Sequence, residues 1–329
     1  MKKIGVVGVG HLGQRHLENL LKLKKKAFCS GFFDNNKETA AQVEIETGGK
    51  KFNSIHQLLD HSEAIIIAVP TSYHYKVAKL CLEADKHVFV EKPICTNIIE
   101  AKELIKLAKK KKLILQVGHV ERLNPAILTL KETDIPLEPK YIETHRLAPY
   151  RIRGTEVPVV LDLMIHDLDV ILSLVNYPVK NVTATGVSIM TNSVDIANAR
   201  IEFNNGCVAN ITSSRVAKDY VRKLRLFEQE IYITIDFLQG LTEVYKVMDY
   251  NKNYKKGLIS APLEANGDSR QIVYEKLDQK KINALALELE NFIAAIVGDE
   301  EPIVSGHEGL EALKLALEIQ EKIELNLNI

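Results

Sequence analysis

Three groups of residues in this sequence have types and spacings suited to chemistry. The first is Gly8-Val9-Gly10-His11-Leu12-Gly13, which follows a β-branched run and opens a helical pattern. Its glycines divide the work of holding a pyrophosphate. Gly8 permits a tight turn, Gly10 lets backbone approach a phosphate, and Gly13 lets helix and strand pack closely. The helix start adds unpaired N–H groups and a positive dipole end, so His11 and Leu12 join the binding candidates. In a chain with 17 glycines, chance supplies about 0.05 matches to this spacing. Asp34 ends the second expected strand, 21 residues after Gly13. An acid there bonds ribose hydroxyls and repels a 2′-phosphate, which favours NAD; Lys37 nearby leaves NADP open.

The second group lies where strands end, the edge at which such folds bind ligands. Pro70-Thr71-Ser72-Tyr73-His74 follows a strongly apolar run, and Glu91-Lys92-Pro93 follows the next strand. Pro70, Thr71, His74, Glu91 and Lys92 are therefore candidates on the cofactor side, with Lys92 beside a bound nicotinamide. A strand-end lysine is commonly a plain surface residue; the crevice position, marked by Pro93, weighs the other way. The isomer of the 92–93 peptide is open at this point. The third group is Asp162 and His166, four apart in a helical stretch from Val159 to Leu174. That spacing puts both on one face, where an aspartate can orient an imidazole that takes a proton. The pair equally fits a structural Asp–His contact or a helix cap. Leu161, Leu163, Met164, Ile165 and Leu168 predict a largely buried helix, with Asp167 and Asp169 on other faces as solvated or structural groups.

These groups need elements to hold them. Residues 1–120 alternate short apolar runs with helical patterns: strands over Lys3–Val9, Phe28–Phe33, Ala64–Val69, His87–Val90 and Leu113–Val117, with helices between them. Phe52 marks at most a very short strand, and Ser54 reads as an N-cap. Ala64–Val69 is too apolar for a half-exposed strand and belongs in the middle of a sheet. The rhythm predicts a parallel sheet with helices on both faces, an α/β dinucleotide-binding domain. From Tyr141 onward strands follow one another directly, with Asn204-Asn205-Gly206 a strong hairpin signal. Residues 121–329 therefore read as an α+β domain with a large, mainly antiparallel sheet, closed by helices over Ile282–Val297 and Glu308–Ile323. Asn251–Asp268 reads as a loop.

Composition excludes several classes. Lys plus Arg and Asp plus Glu are both 43, giving no net charge. That argues against nucleic acid or an anionic membrane surface as the main partner. Cysteines 29, 81, 95 and 207 show no C-x-x-C spacing, which suits a reducing compartment and indicates no zinc site. His11, His16, His56 and His61 show no ligand spacing with them, so no metal is expected and they read as ordinary surface or core histidines. Met1-Lys2-Lys3 and Ile4–Val9 start like a signal peptide, but Gly8, Gly10 and His11 break the run. No apolar stretch approaches the ~20 residues of a membrane helix. The reading is a soluble cytoplasmic protein.

Together, GVGHLG, Asp34, the PTSYH segment, EKP at 91–93, the D-x-x-x-H at 162–166 and the late Pro302-Ile303-Val304-Ser305-Gly306 resemble the Gfo/Idh/MocA family of oxidoreductases across essentially the whole chain. The resemblance implies a Rossmann domain and a C-terminal open-faced sheet that often forms the oligomer interface, hence a homodimer or homotetramer. It implies NAD or NADP and hydride transfer at a sugar or cyclitol hydroxyl. It also implies a catalytic set of Lys92, Asp162 and His166, with His166 as base, Asp162 orienting it, and Lys92 bonding the same oxygen. Whether Lys92 or His166 takes the proton is open.

Two stretches, GHVERLNP at 118–125 and HRLAPYRIRGT at 145–155, resemble the nucleotide-sugar branch, the bacterial UDP-N-acetylglucosamine 3-dehydrogenases. That branch implies a 3-keto UDP-sugar, later aminated for lipid A with 3-amino sugars. Arg146, Arg151 and Arg153 fall within eight residues. A diphosphate needs such forked donors and a free cyclitol does not, although surface arginines on an irregular loop would look the same. Arg122 and Asn124 are weaker substrate candidates. The alternatives are a dehydrogenase of a free sugar or cyclitol and a non-catalytic NAD-binding regulatory protein. The latter predicts decay of Lys92, Asp162 and His166, all of which are present.

Overall fold

The computed structural model describes residues 1–150, 157–250, 259–265 and 268–327. The chain divides into two compact units, Met1–Leu123 with Asn283–Lys314, and Asn124–Ile282 with Leu315–Ile329. This corrects the expected 121–329 domain, because residues 283–314 belong to the first unit.

In the first unit the order is β1 (Lys2–Val7), α1 (His11–Lys22), β2 (Ala27–Phe33), α2 (Lys37–Thr47), α3 (Ile55–Asp60), β3 (Ala64–Ile67), α4 (His74–Glu83), β4 (His87–Glu91), α5 (Ile98–Lys111) and β5 (Leu115–Gly118). The strands form one parallel sheet in the order β2-β1-β3-β4-β5. Every residue of β3 is buried, as its all-apolar sequence predicts. Phe52 is no strand; the neighbouring Lys51 makes only an isolated bridge to Phe32. Side chains stop the backbone N–H groups at helix starts: Asn36 for α2, Ser54 for α3 and Asn97 for α5. Chain order reverses between β1 and β3, and the crevice at their carboxyl ends is where such sheets bind ligands.

Residues 283–314 return to this unit for two reasons. The helix α8 (Ala284–Val297) adds Leu289, Phe292 and Ile293 to a core with Leu17, Leu20, Ile66 and Phe89. The PIVSG segment then lies along the edge strand β5, where Val117 N–H donates to Val304 O at 3.0 Å and Gln116 bridges Ser305. An edge strand otherwise leaves its N–H groups open.

The second unit contains α6 (Pro125–Lys131), β6 (Tyr141–Leu147), α7 (Ile165–Leu174), β7 (Val179–Val187), β8 (Ile196–Phe203), β9 (Val208–Ser214), β10 (Val221–Glu228), β11 (Ile231–Asp236), β12 (Leu241–Asp249), β13 (Ile259–Ala265) and β14 (Asp268–Lys276). The final helix α9 (Gly306–Leu327) ends in it. Among the described residues its sheet runs β13-β14-β12-β11-β10-β6-β9-β8-β7, antiparallel apart from β6 beside β9. The expected loop 251–268 is corrected here, since 259–265 is a strand. Pro262 hides it in sequence, and β13 tolerates the missing N–H because it is the sheet edge. One face buries Ile142, Leu224, Leu226, Ile233 and Val244. The other carries an aromatic row, Tyr141–Phe227–Tyr232–Tyr245–Tyr274, with centroids 5.6, 4.8, 5.2 and 5.0 Å apart. Among the described residues no helix is long and apolar enough to cross a membrane.

A buried carboxylate organises the turn between β7 and β8. Asp195 Oδ2 accepts the N–H groups of Ile189, Met190 and Thr191 at 2.8, 2.7 and 2.9 Å, and Oδ1 accepts the Thr191 hydroxyl at 2.8 Å. Burial opposes the charge, but these donors outweigh it and hold the carboxyl down to about 2. Relative to an unfolded aspartate near ~3.9, the depressed value stabilises the fold above pH ~5 and ceases to do so as pH falls toward 2. Asp195→Ala should therefore lose about 2 kcal/mol at pH 7 and flatten the acid limb between pH 5 and 2, read by urea unfolding at several pH values.

Candidate active site

The glycine loop sits at the end of β1. Gly8 has φ +83°, and a Cβ there would lie 2.7 Å from Ala68 O. A Cβ on Gly13 would lie 1.9 Å from Gly8 O. Both absences are required by the chain's own packing. Gly10 differs: among the described residues nothing lies within 4 Å of its would-be Cβ. No packing within the described chain demands a glycine there, so the bare backbone suits a group arriving from outside. The start of α1 agrees. Gly10 is its N-cap, no described side chain caps it, and its first turn carries no acid. The open N–H groups and dipole end fit the pyrophosphate of a dinucleotide.

Asp34 is half-buried beside this loop. Its Oδ2 accepts Val9 N–H and its Oδ1 accepts Asn36 N–H, both at 2.8 Å. A carboxylate with one bond on each oxygen keeps acceptor capacity for hydroxyls. His11 and Leu12 are exposed on the first turn of α1.

The loops after β3 and β4 meet at His74, which is 1% exposed. Its Nδ1 lies 2.8 Å from Pro93 O and its Nε2 2.9 Å from Val69 O. Burial pushes its pKa down, against the two carbonyls, which push it up. With both ring nitrogens engaged, His74 joins two loops. Pro70 is exposed and Thr71 begins a 3-10 turn over Thr71–Tyr73. Lys92 is half-buried, and its peptide bond to Pro93 is cis. Glu91 is buried, with Oε1 2.6 Å from His16 Nε2 and Oε2 accepting Lys92 N–H at 3.2 Å. The first unit thus gathers the glycine loop, Asp34, residues 69–74 and residues 91–93 at one sheet edge.

In the second unit Asp162 lies in a wide π-turn over Val160–Met164, and His166 follows in α7. Ile165 N–H returns to Val160 O, five residues back. The expected regular helix from Val159 is corrected to that extent; π-turns recur at functional positions. Both side chains are half-buried. Asp167 and Asp169 are buried, so neither is solvated.

Arg146 is corrected. Its Nε and Nη2 each donate to Asp167 at 2.9 Å, with both side chains at most 3% exposed. Stripping one partner from such a buried pair costs about 3–5 kcal/mol. Arg146 therefore belongs to the fold and is not a diphosphate ligand. Arg122 and Asn124 also have partners within their own units. Arg122 Nη1 pairs with Glu308 Oε1 at 3.1 Å. Asn124 donates to Phe237 O at 3.0 Å and caps α6. Arg151 and Arg153 lie outside the described residues. The sequence reading missed the part played by His16; its signal is its place among Gly13, Leu17 and Leu20 on the buried stripe of α1.

The contrast between two glycines is testable. Gly10→Ala should fold with an unchanged melting temperature and lose dinucleotide affinity tenfold or more, by calorimetric titration. Gly13→Ala should lower the melting temperature, because its Cβ meets backbone rather than a yielding side chain.

Comparison with known proteins follows this geometry. A family model described as oxidoreductase family, NAD-binding Rossmann fold, matches residues 2–119. The GFO/IDH/MocA C-terminal domain model matches residues 145–234. The chain is 35% identical over 322 residues to UDP-N-acetylglucosamine 3-dehydrogenase of Acidithiobacillus ferrooxidans, covering 98% of this chain and 97% of that protein. A solved structure of that enzyme has a TM-score of 0.87 to this chain at 34% identity, covering 98% of each. The chain is 26% identical to myo-inositol 2-dehydrogenase of Thermotoga maritima, covering 98% and 96%. Scyllo-inositol dehydrogenase of Lactobacillus casei, solved with NAD(H) and scyllo-inositol, shares the fold with a TM-score of 0.76 at 20% identity, covering 99% and 98%. With both parts matched and a full-length relative above 30% identity, the chain belongs to the Gfo/Idh/MocA family of oxidoreductases.

Proposed function

We propose that this protein is an NAD-dependent dehydrogenase that oxidises C3 of UDP-N-acetylglucosamine to a 3-keto nucleotide sugar. The observation that carries the substrate is the likeness to a UDP-N-acetylglucosamine 3-dehydrogenase along 98% of the chain, with Lys92, Asp162 and His166 all present in this sequence. A 3-ketone is the functional group that an aminotransferase needs, so the product suits the making of 3-amino sugars for lipid A. When bound, the nicotinamide supplies the hydride acceptor. Asp34 bonds the ribose hydroxyls and disfavours a 2′-phosphate. His166 takes the hydroxyl proton, Asp162 orients and stabilises its imidazole, and Lys92 donates to the oxygen as negative charge develops. With Arg146 withdrawn, the diphosphate falls to Arg151 and Arg153.

A second copy of the chain is proposed to cover the aromatic row on the second unit's sheet, whose Tyr232 and Tyr245 stack at 5.2 Å. A row of half-buried rings on an open sheet face suits a symmetric contact. Sedimentation should give two or four times the chain mass, and Tyr232→Glu should shift it toward one; a monomeric wild type sinks this reading.

The activity test is absorbance at 340 nm with NAD, UDP-N-acetylglucosamine and a ketone trap, beside free hexoses and cyclitols. NADH should form with the UDP-sugar alone. Lys92→Ala and His166→Ala should each lose at least about 100-fold in kcat while keeping NAD affinity. Asp34→Ala should weaken NAD and narrow its preference over NADP. Turnover of inositol or a free hexose instead would move the substrate and leave Arg151 and Arg153 without a role.

A further inference from the structure

We propose that His16 and Glu91 form a positioning element that sets the backbone of Lys92 against the helix holding the cofactor. This rests on the dehydrogenase reading above, in which Lys92 bonds the reacting oxygen. His16 is fully buried on α1, the helix that starts at the glycine loop, with its ring edge-on to Phe89 at 5.3 Å between centroids. Its Nε2 lies 2.6 Å from Glu91 Oε1, a short hydrogen-bond contact. The other oxygen of the same carboxylate, Oε2, accepts the N–H of Lys92 at 3.2 Å. One carboxylate therefore spans from α1 to the main chain of the candidate lysine. On the far side, His74 lies against Pro93 O at 2.8 Å. The two residues flanking Lys92 are each tied to a histidine, and Lys92 lies half-buried between them.

A buried polar pair is a poor way to gain stability, because apolar side chains of similar volume do as well or better. What the pair adds is direction: two hydrogen bonds with fixed angles, where apolar packing would tolerate sliding. The helix end that receives the phosphates and the strand end that carries Lys92 then share one rigid link. Seating of the cofactor and aim of the lysine become a single geometry, which is what a near-attack arrangement requires. His16 and Glu91 act through Lys92 and are positioning residues.

The test compares His16→Leu, His16→Gln and the volume-conserving His16→Leu/Glu91→Leu pair, each with and without Lys92→Ala. His16→Leu should lower kcat at least tenfold, with KM for the sugar and NAD affinity within threefold. His16→Gln, which keeps an N–H near the Nε2 position, should recover most of the loss. The double variant should melt at or above the wild-type temperature and stay slow. On a Lys92→Ala background, His16→Leu should change kcat by less than twofold, since the residue it positions is gone. Hydrogen exchange gives a readout free of turnover: protection across residues 90–96 should fall in His16→Leu while α2 is unchanged. Equal kcat losses on both backgrounds, a loss confined to KM or NAD affinity, or unchanged exchange at 90–96 would each overturn the proposal. A wild type that oxidises no sugar overturns the dehydrogenase reading instead, and the exchange data still decide whether His16 anchors the segment.

Discussion

The first unit depends on one backbone contact, the approach of α1 to the turn that leaves β1. A Cβ on Gly13 would sit 1.9 Å from Gly8 O, so no side chain of any kind fits between them. That closeness brings the start of α1 over the carboxyl end of the sheet. Asp34 reaches Val9 N–H there, and His16, one turn further along, reaches Glu91. Gly8 and Gly13 are consumed in making the contact. Gly10 is left over, and among the described residues no atom lies within 4 Å of its would-be Cβ.

Within each unit the chain places polar groups where an apolar core would have served stability equally. His74 fastens two loops, Glu91 fastens α1 to Lys92, and Arg146 fastens β6 to Asp167 beside His166. Glu91 adjoins Lys92, Asp167 adjoins His166, and His74 reaches the carbonyl of the residue after Lys92. Buried hydrogen-bonded pairs specify angle as well as distance, and dehydrogenation needs both at the reacting oxygen.

Assigning Arg146 to the fold narrows the proposed recognition of a diphosphate. A guanidinium with a bidentate carboxylate at 2.9 Å has its fork occupied. The three-arginine cluster is then a cluster of two, and the uridine diphosphate reading leans on Arg151, Arg153 and the full-length likeness to a UDP-sugar enzyme. The C-terminal stretch is a similar case. PIVSG belongs to the family's closing segment by resemblance, and its physical task is to cover the β5 edge.

Local chemistry was legible in the residues themselves. The glycine spacing, Asp34, the buried β3, the Ser54 cap and the hairpin at Asn204–Gly206 all depend on neighbours a few positions away, and period and turn propensity report those. Lys92, Asp162 and His166 were readable as candidates through the family resemblance, since each alone fits a surface or structural role as well. Tertiary structure alone decided which partner each polar side chain takes. An arginine fits a phosphate and a carboxylate with the same fork, so nothing within 146–153 foretold Asp167, 21 residues away. The return of 283–314 to the first unit, the strand at 259–265 and the link from His16 to Glu91 are contacts across long sequence separations. Such contacts are chosen by packing, and the sequence alone left each of those partners open.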